Sequence, residues 1–161
     1  MKSSIILLKK THIFHLCSLE NIHWMNDYKV IKYLTPRKNF TIFSAIKYYL
    51  QHTLSGDIMY SIYVNGNYVG NCGFYKRKKD TCELRIIIGA VNFWGKGIGY
   101  EAVLKMIDNA KKNNYMKIWL HVDPNNKRAI NLYKKVGFVP THYVNISNTV
   151  KQIFMILSIN D

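Results

Sequence analysis

Gly95, Gly97 and Gly99 fall at every second position of the stretch NFWGKGIGYEAV, residues 92–103, with Lys96 between the first two. Glycines so spaced let the backbone come close to a ligand. Where a helix follows, successive N–H groups converge at an end whose dipole favours negative charge. The chemistry implied is the grip of a phosphate or pyrophosphate. The same letters support two readings. Gly97-x-Gly99-x-x-Ala102 fits the dinucleotide fingerprint, and Asp123 closes the next strand, roughly where that fold wants an acid for a ribose. Two features oppose it. The fingerprint needs its first glycine directly after a strand, whereas Gly89 to Gly97 is a longer, aromatic-bearing connection. That fold also needs further parallel strands, and this chain ends in a hairpin pattern. A P-loop is excluded, because Lys96 precedes the glycines and no Gly-Lys-Ser/Thr follows. The second reading makes Trp94-Gly95-Lys96-Gly97-Ile98-Gly99 a single pyrophosphate-binding turn.

The elements around the turn follow from periodicity. Ser4 to Lys9 reads as an opening strand. From Phe14 to Leu34 the apolar residues have mixed helical spacing, broken near Asn26-Asp27, which predicts two short helices ended by Pro36. A helix over Thr41 to Leu54 puts Ile42, Ala45, Ile46, Tyr49 and Leu50 on one face. Ile58 to Val64 and Tyr68 to Tyr75 are β-branched and aromatic, and Asn65-Gly66 between them accepts the positive φ of a type I′ hairpin turn. Cys82 to Gly89 is a third strand. A helix from about Gly97 to Lys112 follows, with a stripe through Ile98, Ala102, Val103, Met106, Ile107 and Ala110. Then come a strand, Met116 to Val122, and a short helix, about Asn125 to Val136, with Gly137 at its C′ position. Phe138 to Ile146 and Val150 to Ile159 close the chain as a hairpin around Ser147-Asn148. The strand–helix–strand run from Cys82 to Val122 makes those two strands parallel, so the sheet is mixed.

At 161 residues a single domain spanning the chain is expected, with 48% hydrophobic content to fill its core. No apolar run approaches the ~18 residues of a membrane helix. The apolar run Ile5 to Leu8 stops at Lys9-Lys10 with no small-residue cleavage site, so a cytoplasmic protein without a membrane partner is expected. Cys17, Cys72 and Cys82 are odd in number and form no C-x-x-C, and the six histidines show no metal spacing, so no metal site is expected. The net charge of +14 attracts anions: nucleic acid, a multiply phosphorylated cofactor or an acidic protein. Only four of the 23 basic residues are Arg, and the chain is rich in Ile and Asn, so compositional bias explains the charge equally well. The densest cluster, Lys76-Arg77-Lys78-Lys79, reads most simply as a solvated hairpin turn.

With its Gly97-Ile98-Gly99 turn opening the long helix, the chain resembles the GNAT family of acyl-CoA N-acyltransferases, whose signature is Arg/Gln-x-x-Gly-x-Gly/Ala. Trp94 stands where Arg or Gln usually stands. That departure is similar to the W-G-K-G form of the branch acting on ribosomal-protein N-termini, aminoglycosides and amino sugars. Asn126, Ala129, Tyr133, Gly137 and Phe138 match a second family block, Asn-x-x-Ala-x-x-x-Tyr-x-x-x-Gly-Phe, and HWMNDYKVIKYL, residues 23–34, resembles a third segment of the same branch. The resemblance implies an α/β (α+β) fold: a mixed, mostly antiparallel sheet of six to seven strands with a splayed parallel pair, flanked by helices. It implies direct attack of an amine on acetyl-CoA, with no covalent enzyme intermediate.

It also implies roles by position. Tyr133 would donate to the leaving thiolate, although its helical face, shared with Ala129 and Val136, suits a core tyrosine too. Glu83, within the third strand, sits where several relatives carry a catalytic base; pairing with Arg85 or a lysine is the simpler account of it. Ile86, Ile87 and Ile88 would line the pantetheine arm. Trp94, Gly95, Lys96, Gly97, Ile98, Gly99 and Tyr100 would meet the pyrophosphate, and Asn126 the pantetheine, unless it only caps its helix. Lys127 and Arg128 lie near the expected path of the CoA phosphates. His23 and Trp24 would border the acceptor pocket, and Asp123 would be a cap. The acceptor would be a primary amine on a small molecule, among them a nucleotide-linked amino sugar, or on a protein N-terminus, served by a monomer or homodimer. A basic nucleic-acid-binding module and an NAD(P)-dependent enzyme are the alternatives.

Overall fold

The computed structural model describes residues 5–34, 39–146 and 150–159. Seven strands form one sheet in the order β1-β2-β3-β4-β5-β7-β6. Strand β1 is Ile6–Lys10, β2 Ile58–Val64, β3 Asn67–Tyr75, β4 Thr81–Ile88, β5 Lys117–Val122, β6 Val139–Asn145 and β7 Lys151–Ser158. All pairings are antiparallel except β4 with β5. A dinucleotide fold needs a run of parallel strands, so a single parallel pair overturns the fingerprint reading of Gly97-x-Gly99-x-x-Ala102. Asn65 and Gly66 carry φ of 49° and 84°, the turn expected of Asn-Gly.

Between β1 and β2 lie α1 (Ile13–Leu16), α2 (Leu19–Trp24), α3 (Tyr28–Ile31) and α4 (Ile42–Leu54). Three short helices replace the expected two before α4, because the chain caps itself more often than its apolar spacing shows. His12, Ser18 and Asp27 each accept a backbone N–H of the helix that follows. The expected stop at Pro36, the Ser147-Asn148 turn and residue Ser4 lie outside the described residues. Helix α5 (Ile98–Lys112) crosses from β4 to β5, and α6 (Lys127–Lys135) links β5 to β6. Gly137, just past α6, has φ 103°, which glycine tolerates best. Among the described residues no helix is long and apolar enough to cross a membrane.

The main core joins α5 to one sheet face. Ala102, Val103, Met106 and Ala110 on α5, Cys82 and Leu84 on β4, and Ile118 and Leu120 on β5 are fully or nearly fully buried. Alternation then sends Glu83, Arg85, Trp119 and His121 to the opposite face. On that side α1 and α4 cover a second cluster through Leu16, Phe40, Ala45, Met59 and Tyr75.

Candidate active site

The parallel pairing of β4 and β5 ends early. Thr81, Cys82 and Glu83 pair with Lys117, Ile118 and Trp119, and no later residue does. Beyond that point the strands separate, so the edge of β4 from Leu84 to Ile88 has lost its β5 neighbour. The fork opens into a cleft of about 700 Å³. Ile86, Ile87 and Ile88 line it from β4, and Asn126, Arg128 and Tyr133 from α6 and its cap. Trp94, Gly95, Gly97, Ile98, Gly99 and Tyr100 form its rim at the start of α5. Glu83 sits at the base of the fork with His121. Of the sequence-selected cleft residues, Lys96 lies outside the lining; it is exposed, its Nζ 5.5 Å from the Phe93 ring centre. Lys127 is exposed as well.

The turn has a definite build. Val91–Phe93 forms a short 3-10 helix inside what the sequence left as an open connection. Gly95 and Gly97 have φ of 75° and 79°, and a Cβ on either would meet nothing within 4 Å. Their demand for glycine is conformational, and the space over them is open to a ligand. Gly97 is the N-cap of α5 and offers no side chain, so the first N–H groups of a 15-residue helix face that space. Trp94 finds a local use for its departure from Arg or Gln. Its indole Nε1 donates to the Ile88 carbonyl at 2.7 Å, tying the turn to the end of β4. Its ring is also stacked by the Arg128 guanidinium, 3.9 Å from the ring centre. One residue thus joins β4, the glycine turn and α6.

Tyr133 is buried against Phe138, edge to face at 5.7 Å, yet lines the cleft. Burial pushes its hydroxyl up to about 12, so it is a protonated donor across the physiological range. Asn126 caps α6, its Oδ1 accepting from the Ala129 N–H at 3.2 Å, which leaves its amide nitrogen for other partners. Asp123 accepts from the Asn125 N–H at 2.7 Å, so it is a turn cap as expected.

Glu83 is only 5% exposed and makes the pairing with Arg85 and a lysine that its strand position suggested. Its Oε2 accepts from Arg85 Nη2 at 2.8 Å and lies 3.6 Å from Lys76 Nζ, while Oε1 lies 3.7 Å from His121 Nδ1. Burial opposes the charge on Arg85, but its bond and attraction to Glu83 outweigh this and hold its pKa above the ordinary value. Lys76 is therefore more than the solvated turn residue expected, since it reaches Glu83 and lies over Trp119, 5.5 Å from the ring centre. Burial lowers the pKa of His121 below the ordinary 6.5. Glu83 pulls it up and Lys76 and Arg85 push it down, and the balance stays below.

The acceptor end of the cleft differs in part from the sequence reading. His23 is exposed and Trp24 is buried against the backbone of Gly89 and the Tyr68 ring. The same segment instead gives the cleft Asn21, Met25 and Val30, and α4 and β3 add Tyr48 and Tyr75. Of these only Val30 lies on the apolar spacing of its segment, and a residue facing a cavity carries the same pattern as one facing a core. Beside them runs a basic groove holding Lys47, Lys76, Arg77 and Arg85. Among the described residues no three metal-ligating side chains cluster.

Known proteins agree with this architecture. An uncharacterized N-acetyltransferase of Methanocaldococcus jannaschii is 36% identical over 81 residues, or 47% of this chain; the match spans about a third of that relative, 36% of its length. A domain from the same organism superposes with a TM-score of 0.84 at 20% identity, covering 98% of this chain and 100% of the other. A spermidine N-acetyltransferase of Vibrio cholerae, solved with CoA and spermine, gives 0.82 at 20% identity over 95% of each chain. The acetyltransferase (GNAT) domain family matches residues 14–139, most of the sequence, and the chain belongs to that family.

Proposed function

We propose that this protein transfers an acetyl group from acetyl-CoA to a primary amine in the cytoplasm, and that the amine belongs to an acidic acceptor such as a nucleotide-linked amino sugar. The fork carries this reading. It joins an open glycine turn at a helix N-terminus to a buried proton donor at one end and a charged cluster at the other. The turn and the start of α5 meet the pyrophosphate, with Arg128, Lys127 and Lys96 near the phosphates. The unpaired edge of β4 at Ile86 to Ile88 holds the pantetheine arm, aided by Asn126, while Trp94 keeps Ile88 and the turn in register. Tyr133 protonates the departing sulfur. Glu83 supplies the negative charge that draws the acceptor ammonium into the fork.

The acidic character of the acceptor rests on the groove. Lys47, Lys76, Arg77 and Arg85 line it against Asp57, whose carboxylate is already engaged by His52 at 2.7 Å. Lys76 and Arg85 share their charge with Glu83, so Lys47 and Arg77 are the cations that a phosphate or carboxylate on the acceptor would meet there. The spermidine N-acetyltransferase neighbour was solved with the polyamine spermine, a cation, which this groove would disfavour.

A thermal-shift series separates this reading from its rivals, because a ligand that binds only the native state raises Tm. Acetyl-CoA should stabilise the protein, while NAD(P) and RNA should not. A panel of a UDP-linked amino sugar, a peptide with a free N-terminus and spermidine should then favour the sugar. Stabilisation by RNA without any by acetyl-CoA would point to the nucleic-acid module instead.

A further inference from the structure

We propose that His121 is the base that takes the proton from the acceptor ammonium, and that Glu83 is its positioning residue. This rests on the acetyl-transfer reading above and reassigns the base within that site. His121 lies two residues past Trp119, the last β5 residue paired with β4, so it stands at the opening of the fork. It lines the cleft, and its side chain is 16% exposed. Trp119 and Phe154 hold the ring edge-on, at 5.3 and 5.4 Å between ring centres, and His142 of β6 stacks on the same Phe154 at 5.1 Å. With Nδ1 turned to Glu83 Oε1, Nε2 is the nitrogen left for the cleft.

The charged groups around the ring settle which partner accepts the proton. Glu83 and Arg85 face it from β4, and Lys76 from the segment after β3. The Glu83 carboxylate is already bonded to Arg85 and close to Lys76, so a proton on either of its oxygens would cancel the charge that holds both cations. The imidazole has no such bond to break. Burial and the two cations keep it neutral at pH 7, with a free lone pair. When it takes a proton, the imidazolium gains an ion pair with Oε1, which stabilises the charged state only at that step.

The proton inventory closes. His121 takes one proton from R–NH3+. The amine nitrogen bonds to the thioester carbon as the carbon–sulfur bond breaks. Sulfur keeps the bonding pair and receives a proton from Tyr133. The amide nitrogen loses its second proton, which restores Tyr133, and His121 releases its own to solvent. One proton leaves per turnover.

The test compares wild type with H121N, H121Q and E83Q. Activity is read as kcat/KM against pH with acetyl-CoA and the best acceptor of the panel above. Both His121 variants should lose about 10²- to 10⁴-fold, together with the acid limb seen in wild type. E83Q should raise the acceptor KM, hold kcat closer to wild type than either His121 variant does, and move that limb to lower pH, since it removes the charge that raises the imidazole's affinity for protons. Activity of H121N within about threefold of wild type, or loss in E83Q with H121N active, would overturn the proposal. A second readout needs no acceptor. In protein labelled with ¹³C-histidine, the signal missing from H121N should titrate below 6.5 in wild type and lower still in E83Q. A midpoint above 7, or one unmoved by E83Q, sinks the idea even if acetyl transfer is confirmed. A protein that neither binds acetyl-CoA nor turns over the panel refutes the functional reading separately.

Discussion

Trp94 is the residue whose role changes most between sequence and structure. In the sequence it is a gap in a motif. In the fold it is a hydrogen-bond donor to Ile88 and a platform for Arg128. W94F keeps the platform and removes the donor. It should lose about 0.5–1.5 kcal/mol of stability, the net worth of one hydrogen bond, and weaken acetyl-CoA binding measured by calorimetry. W94A removes both contacts and should weaken it further; equal affinities for W94F and W94A would separate the Arg128 stack from cofactor binding. Tyr133 shows the converse, since the motif named it and only the structure shows why it suits the task. Its hydroxyl, raised from 10 to about 12 by burial, stays a donor throughout the working range. The sign for stability follows. A group whose folded pKa is raised contributes fully below its unfolded value and loses that contribution as pH climbs from 10 towards 12. Y133F should therefore resist alkaline unfolding better than wild type in that window, while losing about 10²-fold or more in kcat. Unchanged kcat in Y133F would remove the tyrosine from the reaction. In the sequence His121 falls one residue short of the end of the Met116 to Val122 strand, and nothing local marks it further. Its neighbours Glu83, Lys76 and Phe154 come from three other segments, and no spacing within β5 encodes that meeting.

At the scale of elements, the periodic signals were legible and the short ones were not. The Asn65-Gly66 hairpin, α4, α5 and the strand–helix–strand crossover follow from turn chemistry and apolar stripes, and each sits within a residue or two of its expected bounds. The three-helix entry was misread as two helices because four- and six-residue helices are too short to show a period; their caps define them. What fixes this entry segment on the sheet is also invisible locally. Asn71 of β3 donates to Asn21 Oδ1 at 3.0 Å and accepts from the Tyr68 hydroxyl at 2.9 Å, and Asn21 donates to the Leu16 carbonyl at 2.8 Å. At the end of β4, Gly89 lies so close to Trp24 that an added Cβ would fall 2.1 Å from the indole. The backbone there is ordinary, so the demand is for space alone. G89A should thus cost about 1–3 kcal/mol through overpacking, seen as a lower Tm. Trimming the indole in a G89A/W24L double variant should recover part of that loss relative to W24L alone. If G89A destabilises the W24L background as much as wild type, α2 is not held by this contact.

For the whole molecule the question is whether a net charge of +14 serves function or reflects composition. Scattered lysines answer neither way, but their placement makes the question testable. Lys47 and Arg77 flank the acceptor end as exposed cations, Lys76 and Arg85 line the same groove, and Arg128 and Lys135 stand at the glycine turn. Charge gathered at both ends of one cleft raises the local concentration of an anionic ligand, an effect that salt screens over about 8 Å at physiological ionic strength. A K47E/R77E double reversal tests this at the acceptor end without touching the turn. Both side chains are exposed, so folding should be little changed. The KM for a UDP-linked amino sugar should rise roughly tenfold, the worth of about 1.4 kcal/mol, and lose most of its salt dependence. Acetyl-CoA affinity should hold, because the proposed phosphate site lies at the other end of the cleft. Spermidine should become a better substrate than before, since the groove would then attract a cation. If the reversal leaves all three acceptors unchanged, the positive charge is a property of the composition and the acceptor is chosen by the apolar lining of Met25, Val30 and Tyr48. If wild type already prefers spermidine, Glu83 governs selection at the fork and the groove does not.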